Sequence, residues 1–310
     1  MSSSPKREHI AICVCSNGRE SLVDCLRAIL GQEPPPATSM QLILVDNTGP
    51  GTLATRLEEA GLAGEVTTVH EPRPGIPMAR NAALAAALAH KADLIAFIDD
   101  DEIVSADWLP SLHAVLIETG ADVVQGRLVH AENFDEALAR AASPRQKNPT
   151  PKTRTRRTAS TFNVLFRSWL ITSPLSLRFD ESLSSMGEDT EFFMRASDAG
   201  ALIIHTDAAP VFEAWPPERR TLESLRRRSW QGGASTNYRY RKNRAAPVAF
   251  GILLPRALWR AITGGVSMAA SILPGNPDTR KKAREKGNAR LYFALGCISP
   301  YFGVMPGRYR

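Results

Sequence analysis

A chain of 310 residues with 43% hydrophobic and 23% charged content is long enough to bury a sizeable core and too balanced for a disordered or low-complexity polymer. Its four cysteines, Cys13, Cys15, Cys25 and Cys297, lack zinc-ligand spacing and exclude the disulfide framework of a small secreted domain, so they are expected as buried thiols in a reducing cytosol. The formal charge of +6 is unevenly divided: residues 214–310 hold 19 Lys and Arg against 4 Asp and Glu, whereas residues 1–213 hold 19 against 28, so an acidic part carries a basic tail.

The chain opens with a polar segment, Met1 to His9, and the apolar run after it, Ile10 to Cys15, is too short for a signal-peptide core or a membrane span. That run predicts a first buried strand, with a turn at Ser16-Asn17-Gly18-Arg19-Glu20 and a helix from Ser21 to Leu30 whose Leu22, Leu26 and Ile29 share a face. Leu42 to Val45 reads as a second strand ending at Asp46-Asn47, Thr52 to Ala60 as a helix, and Val66 to Val69 as a third strand. Pro77 to Ala89 reads as an alanine-rich helix that proline can start at its first position. Leu94 to Ile98 is an unbroken apolar run, the pattern of a strand covered on both faces, and a helix from Ala106 to Glu118 follows. This alternation predicts an α/β fold with a doubly wound, mostly parallel sheet flanked by helices. From Ala131 to Thr158 the pattern dissolves into prolines and the basic run Lys152 to Arg157, which predicts a linker or flexible loop. Structure resumes at Phe162 to Leu170, a helix opens at Glu188, and Ala201 to Thr206 reads as a further strand.

Two acid clusters carry the chemistry. Asp99-Asp100-Asp101-Glu102 ends the fourth apolar strand, where open α/β sheets bind ligands, and four adjacent carboxylates repel one another unless a cation joins them. A divalent metal on Asp99 and Asp101 is therefore expected; the plainer alternative is a solvated turn that caps the next helix. Gly187-Glu188-Asp189 opens the later helix, where acids also serve the helix dipole. Together the clusters divide the labour of group transfer from a nucleoside diphosphate, one offsetting charge on the diphosphate and the other accepting a proton from the attacking hydroxyl.

The first strand and its turn, Val45-Asp46-Asn47, Gly75-Ile76-Pro77-Met78-Ala79-Arg80-Asn81, Phe97 to Glu102, and Gly187-Glu188-Asp189 with Phe193 to Arg195 resemble the ordered motifs of family 2 glycosyltransferases of the GT-A fold. The resemblance spans about Ile10 to Arg241. Pro216-Pro217-Glu218-Arg219 and Leu225 to Gly233 are similar, more narrowly, to bacterial exopolysaccharide transferases of the succinoglycan glucosyltransferase type. The resemblance implies that Asp46 contacts the uracil or ribose of a UDP-sugar, with Ser16 and Arg19 nearby, and that Arg80 frames the diphosphate or the acids. It implies that Asp99, Asp100 and Asp101 form the donor-binding DxD segment, with Asp99 and Asp101 holding Mg2+ or Mn2+. Asp189 would be the general base and Glu188 would position the acceptor hydroxyl, in an inverting displacement. Family members often carry a metal-binding histidine after the last core strand; Val211-Phe212-Glu213 offers Glu213 there instead. The processive Gln-x-x-Arg-Trp motif is missing, Arg228-Ser229-Trp230-Gln231 being in the wrong order, which implies one sugar per encounter.

The tail, residues 214–310, predicts a helix over Arg219 to Arg244, then the apolar stretch Ala246 to Pro274 with only Arg256 and Arg260 charged, then the cluster Arg280 to Lys286 and an aromatic-rich end from Tyr292 to Tyr309. Arg256 and Arg260 share a helix face, which suits a helix in the membrane interface with its cations toward anionic headgroups. Packing of the stretch on the sheet or on another subunit is the alternative. The expected partners are a nucleoside diphosphate sugar, a lipid-linked saccharide acceptor and an anionic membrane surface at the inner, cytoplasmic face; no recognition fold for nucleic acid accompanies the charge. Two other readings stay open. A sugar nucleotidyltransferase needs a glycine-rich basic loop that Ser16 to Arg19 imitates poorly, and a catalytically silent scaffold has no use for intact acids.

Overall fold

The computed structural model describes residues 7–49, 51–143, 151–183, 187–215, 220–242 and 244–304. The Pro216 to Arg219 motif, Pro144, Pro149 and Tyr309 lie outside them. The chain forms two compact units, Met1–Ser182 with Glu188–Trp215, and Leu183–Gly187 with Pro216–Arg310.

The first unit is built on a nine-stranded sheet. β1 (Glu8–Ser16), β2 (Thr38–Asp46), β3 (Val66–His70) and β4 (Leu94–Asp99) form its parallel part in the order β3-β2-β1-β4. β5 (Glu102–Val104), β6 (Val123–Ala131), β7 (Thr153–Arg156), β8 (Val164–Arg167) and β9 (Ile203–Ala214) complete it. β8 runs antiparallel between β4 and β6, β6 and β9 are parallel, and β5 and β7 pair antiparallel with β9. Helices α1 (Leu22–Leu30), α2 (Thr52–Glu59), α3 (Ile76–Ala89), α4 (Trp108–Thr119), α5 (Phe134–Ala142) and α6 (Glu188–Asp198) flank the sheet.

Burial on both faces explains why β1 and β4 show no polar alternation. Ile10, Ile12 and Val14 pack with Leu22, Leu26, Trp108 and Leu112 of α1 and α4. On the opposite face Ala11 and Cys13 meet Ala79, Ala83 and Ala87 of α3. Small residues on both partners bring α3 close to the sheet, and the Cys13 thiol reaches the Ala83 carbonyl at 4.0 Å. Beyond them Phe97, Phe166, Phe179, Phe192 and Phe193 stack or meet edge to face, which fixes α6 behind β4 and β8.

Two expectations are corrected here. The stretch from Ala131 to Thr158 is no continuous linker: it contains α5 and β7. Asn133 caps α5 by accepting from the Glu136 amide at 2.9 Å, and Glu136 returns a bond to the Glu132 amide. The only buried positions of α5 are Ala137 and Ala141, so its apolar signal is faint. β7, Thr-Arg-Thr-Arg and exposed throughout, is a charged edge strand. Gln125 to Val129 belong to β6, with a register shift between Gln125 and Arg127. β9 runs through Pro210 to Ala214, well past Thr206. At the β6 irregularity a Cβ on Gly126 would stand 2.3 Å from the Ala209 carbonyl oxygen and 2.3 Å from Asn163 Nδ2. Gly126→Ala is therefore expected to lower stability by about 1–3 kcal/mol, read as a fall in urea midpoint at unchanged slope.

The second unit consists of α7 (Leu222–Lys242), α8 (Ala246–Ala270) and α9 (Pro277–Ile298), closed by a 3-10 turn at Ser299–Phe302. α7 and α9 meet backbone to backbone where Gly233 faces Gly296: a Cβ on Gly233 would lie 2.2 Å from the Phe293 carbonyl oxygen, and one on Gly296 2.1 Å from that of Trp230. Along α8, Ala249, Leu253, Ala257 and Gly264 form the buried seam, while Val248, Leu258, Trp259, Ile262 and Val266 are exposed on the opposite side. Arg256 and Arg260 are not on that exposed side. Their guanidiniums lie over the rings of Tyr240 and Phe293, 5.5 and 4.1 Å from the centroids, because the aromatic faces of α7 and α9 stabilise the cations. No helix among the described residues is long and apolar enough to cross a membrane.

Candidate active site

The C-terminal ends of β1, β2 and β4 lie side by side, with Ser16 opposite Asp46 and Cys15 opposite Asp99 in the ladders. At the end of β1 the Ser16 hydroxyl donates to Asp100 Oδ2 at 2.6 Å and accepts from the Gly18 amide at 3.0 Å. Arg19 binds Asp100 Oδ1 through Nε at 3.3 Å and Asp101 through Nη1. The Ser21 hydroxyl donates to the Asp100 carbonyl at 2.9 Å. The first loop thus grips the acidic turn by side chains and backbone. Burial pushes the Asp100 carboxyl up to about 6, against the opposing pull of the Ser16 hydrogen bond and Arg19.

Arg80, in the second turn of α3, joins the two acid clusters. Its Nη1 binds Glu188 at the start of α6, and its Nη2 reaches Asp99 Oδ1 at 3.5 Å. Both Arg80 and Glu188 are buried. Burial raises the Glu188 carboxyl above its ordinary range, and Arg80 pulls it back. The approach of α3 depends on Asn81, which holds Phe179 by both backbone groups, donating to its carbonyl at 2.9 Å and accepting from its amide at 2.8 Å. Asp189 is half-buried beside Glu188, and its Oδ1 accepts from the Thr190 amide at 2.5 Å. It lies near enough to exert its charge on both Arg80 and Asp99.

Asp46 closes an Asx turn after β2: its Oδ1 accepts from the Thr48 amide at 2.9 Å and from the Thr48 hydroxyl. Glu213 lies across the β5–β9 ladder from Glu102 and 3.4 Å from His130 Nδ1. Ser16, Arg19, Arg80, Asp99, Asp100, Asp101 and Glu188 are therefore linked directly and Asp189 adjoins them, while Asp46 bonds Thr48 and Glu213 adds its charge to Glu102.

Sequence reasoning gave no role to three residues that shape the site. Glu102, buried beneath the turn, accepts from the Asp99 amide at 3.1 Å, and burial first, then Asp99 and Asp101, push its carboxyl well up. Asn47 donates to the carbonyls of Glu71 and Arg73 at 2.7 and 2.8 Å and accepts from the Gly75 amide at 3.0 Å, which ties the end of β2 to the loop that starts α3. Asn163 is fully buried with φ 88° and links Trp108 Nε1 to the Ala209 carbonyl. A short side chain that tolerates positive φ is the one signal that pointed to it.

The donor set suits a hard divalent cation: Asp99 and Asp101 offer carboxylate oxygens on neighbouring arms of one turn. Among the described residues no group of three or more His, Cys, Asp or Glu is arranged to hold a metal.

The model of the family described as Glycosyl transferase family 2 matches residues 10–172. The succinoglycan biosynthesis protein ExoM of Rhizobium meliloti (strain 1021) is 33% identical over 231 residues, 73% of this chain and 73% of that protein. Among solved structures, S. aureus TarS 1-349 in complex with UDP is similar with a TM-score of 0.51 at 17% identity, over 96% of this chain and 92% of that one. The same protein in complex with UDP-GlcNAc gives a TM-score of 0.52 at 15% identity and the same coverage. At these identities the likeness to TarS is one of fold.

Proposed function

The chain belongs to glycosyl transferase family 2 and is a glycosyltransferase, and from that premise we propose that it moves one hexose per encounter from a UDP-sugar to a lipid-linked saccharide during exopolysaccharide assembly. The observation that supports this reading is that Arg80 contacts both acid clusters, binding Glu188 of α6 and reaching Asp99 at the end of β4. The kinship with ExoM, a succinoglycan biosynthesis protein, and the UDP and UDP-GlcNAc complexes of TarS favour the same pathway class and donor.

Asp99 and Asp101 would hold Mg2+ or Mn2+, which offsets charge on the departing diphosphate. Arg19 and Arg80 add fixed positive charge beside those carboxylates and orient them. Asp189 takes the proton of the acceptor hydroxyl as it attacks the anomeric carbon, and a single direct displacement inverts that centre. Glu188 acts through Arg80, holding the guanidinium toward Asp99. The exposed apolar side of α8, in a unit rich in Lys and Arg, lies against the anionic inner face of the cytoplasmic membrane, where the acceptor's lipid is anchored.

Calorimetric titration with UDP and other nucleoside diphosphates, in Mn2+ and then in EDTA, tests the donor site. UDP is expected to bind best and to lose at least about tenfold in affinity in EDTA, with Asp101→Ala losing both that binding and turnover. Equal binding in EDTA overturns the metal assignment, and binding of no nucleotide overturns the donor reading.

A further inference from the structure

Within the second unit, a cavity of about 470 Å3 opens where the starts of α7 and α9 meet the end of α8. Arg220, Arg280, Lys281 and Arg284 line it against the single carboxylate of Glu285. Arg280 is anchored by donating from Nε to the Ser271 carbonyl at 3.0 Å, so its guanidinium is held at the rim and its terminal nitrogens remain to bind elsewhere. Asn276 caps α9 by accepting from the Asp278 amide at 2.8 Å, and the positive end of that long helix adds to the field despite Asp278 in its first turn. A cavity of this size falls in the range of small-ligand sites, and its charge suits an anion carrying more than one negative charge.

A second observation concerns what adjoins the cations. Ser271 lines the cavity, and the next two residues, Ile272 and Leu273, are 76% and 63% exposed, continuing the apolar side of α8 through Ile262 and Val266. Strongly cationic and strongly apolar surface are thus contiguous along the chain, which is the complement of an amphiphile with a multiply charged head. Neither a nucleotide nor a free phosphate has use for the apolar part.

We propose that this cavity binds the diphosphate head of a lipid whose apolar chain lies along the end of α8, a site separate from the donor site. It rests on the lipid-linked acceptor reading for its ligand class and is independent of the transfer chemistry. Arg280, Lys281 and Arg284 contact the diphosphate oxygens, and Ile272 and Leu273 contact the first carbons of the chain.

The test uses the full chain with UDP and Mn2+ saturating in every cell, so that the donor site is closed to competing diphosphates. Farnesyl diphosphate, a short soluble stand-in, is titrated by calorimetry beside inorganic pyrophosphate and farnesol. It is expected to bind at one saturable site, with pyrophosphate and farnesol each weaker by about tenfold or more. Lys281→Ala with Arg284→Ala is expected to weaken farnesyl diphosphate by about tenfold or more while leaving UDP affinity unchanged, and Lys281→Arg with Arg284→Lys to restore most of the binding. Unchanged farnesyl diphosphate affinity in the folded alanine variant overturns the site. Pyrophosphate binding as tightly as farnesyl diphosphate makes the cavity a free-anion site and overturns the lipid, and farnesol binding as tightly overturns the diphosphate. Sugar transfer to a lipid-linked acceptor without farnesyl diphosphate binding overturns this site alone, whereas binding without transfer supports it and overturns only the transfer reading.

Discussion

Asp189→Asn is expected to lower kcat by roughly 100- to 10,000-fold with UDP affinity unchanged, because a positioned general base contributes about that much and asparagine cannot accept the proton. Asparagine keeps the bond that fixes the side chain: its Oδ1 can still accept from the Thr190 amide, now 2.5 Å from Asp189 Oδ1. The change therefore removes basicity with little change of shape. The charge it removes acts on Arg80 and Asp99, but Asp189 bonds neither of them among the contacts described. Steady-state kinetics beside UDP calorimetry separates the two quantities. Turnover within about threefold of the parent would move the base elsewhere, since removal of a group needed only in the transition state must appear in kcat.

The second large effect falls on stability. Arg80→Met leaves the buried Glu188 carboxylate without its cation, and breaking a buried pair from one side costs roughly 3–5 kcal/mol. The pH dependence has a definite sign. Glu188 already titrates above its unfolded value because it is buried, and loss of Arg80 raises it further. The ionised form is what the variant cannot accommodate, so the deficit relative to the parent is full above the raised folded value. It shrinks as pH falls from there toward the parent's own raised folded value, because the variant binds the proton first. Adding Glu188→Gln to Arg80→Met is expected to recover much of the loss at pH 7 and to shrink the pH-dependent part to what the Arg80–Asp99 contact contributes. Denaturant unfolding of the three proteins at pH 5 and pH 7 measures this; an Arg80→Met deficit that is equal at both pH values would place the cost in packing over Phe179, not in charge.

How much of this was legible in the sequence depended on how each element gets its stability. β1, β2 and β4 are covered on both faces, so their apolar runs stood out, and the acids at their ends marked the site. α5 draws on a cap and two alanines, and β7 on ladder bonds alone, so neither left an apolar period to find. β9 was cut short at Asp207 to Pro210 because those residues resemble a break; Thr206 Oγ1 accepts from the Ala208 amide there, and the strand runs on. In the site, residue types were readable but partners were not. Arg19 lies 82 residues from Asp101 and Arg80 108 from Glu188, and nothing local to either arginine specifies a particular carboxylate. The tail's cations were counted correctly, yet the apolar side of α8 lies away from Arg256 and Arg260, whose exposed side chains lie over aromatic rings of the neighbouring helices.

The layer of alanines between α3 and β1 acts as a spacer of fixed thickness. Arg80 follows Ala79, whose neighbours along the helix, Ala83 and Ala87, rest on Ala11 and Cys13, so the height of the helix above the sheet sets how far the guanidinium must reach to Asp99 and Glu188. A methyl group added in that layer, far from any substrate, lifts the arginine off its carboxylates. Enzyme chemistry and core volume are therefore not separately adjustable along this seam, and sequence drift is limited there by the length of one side chain.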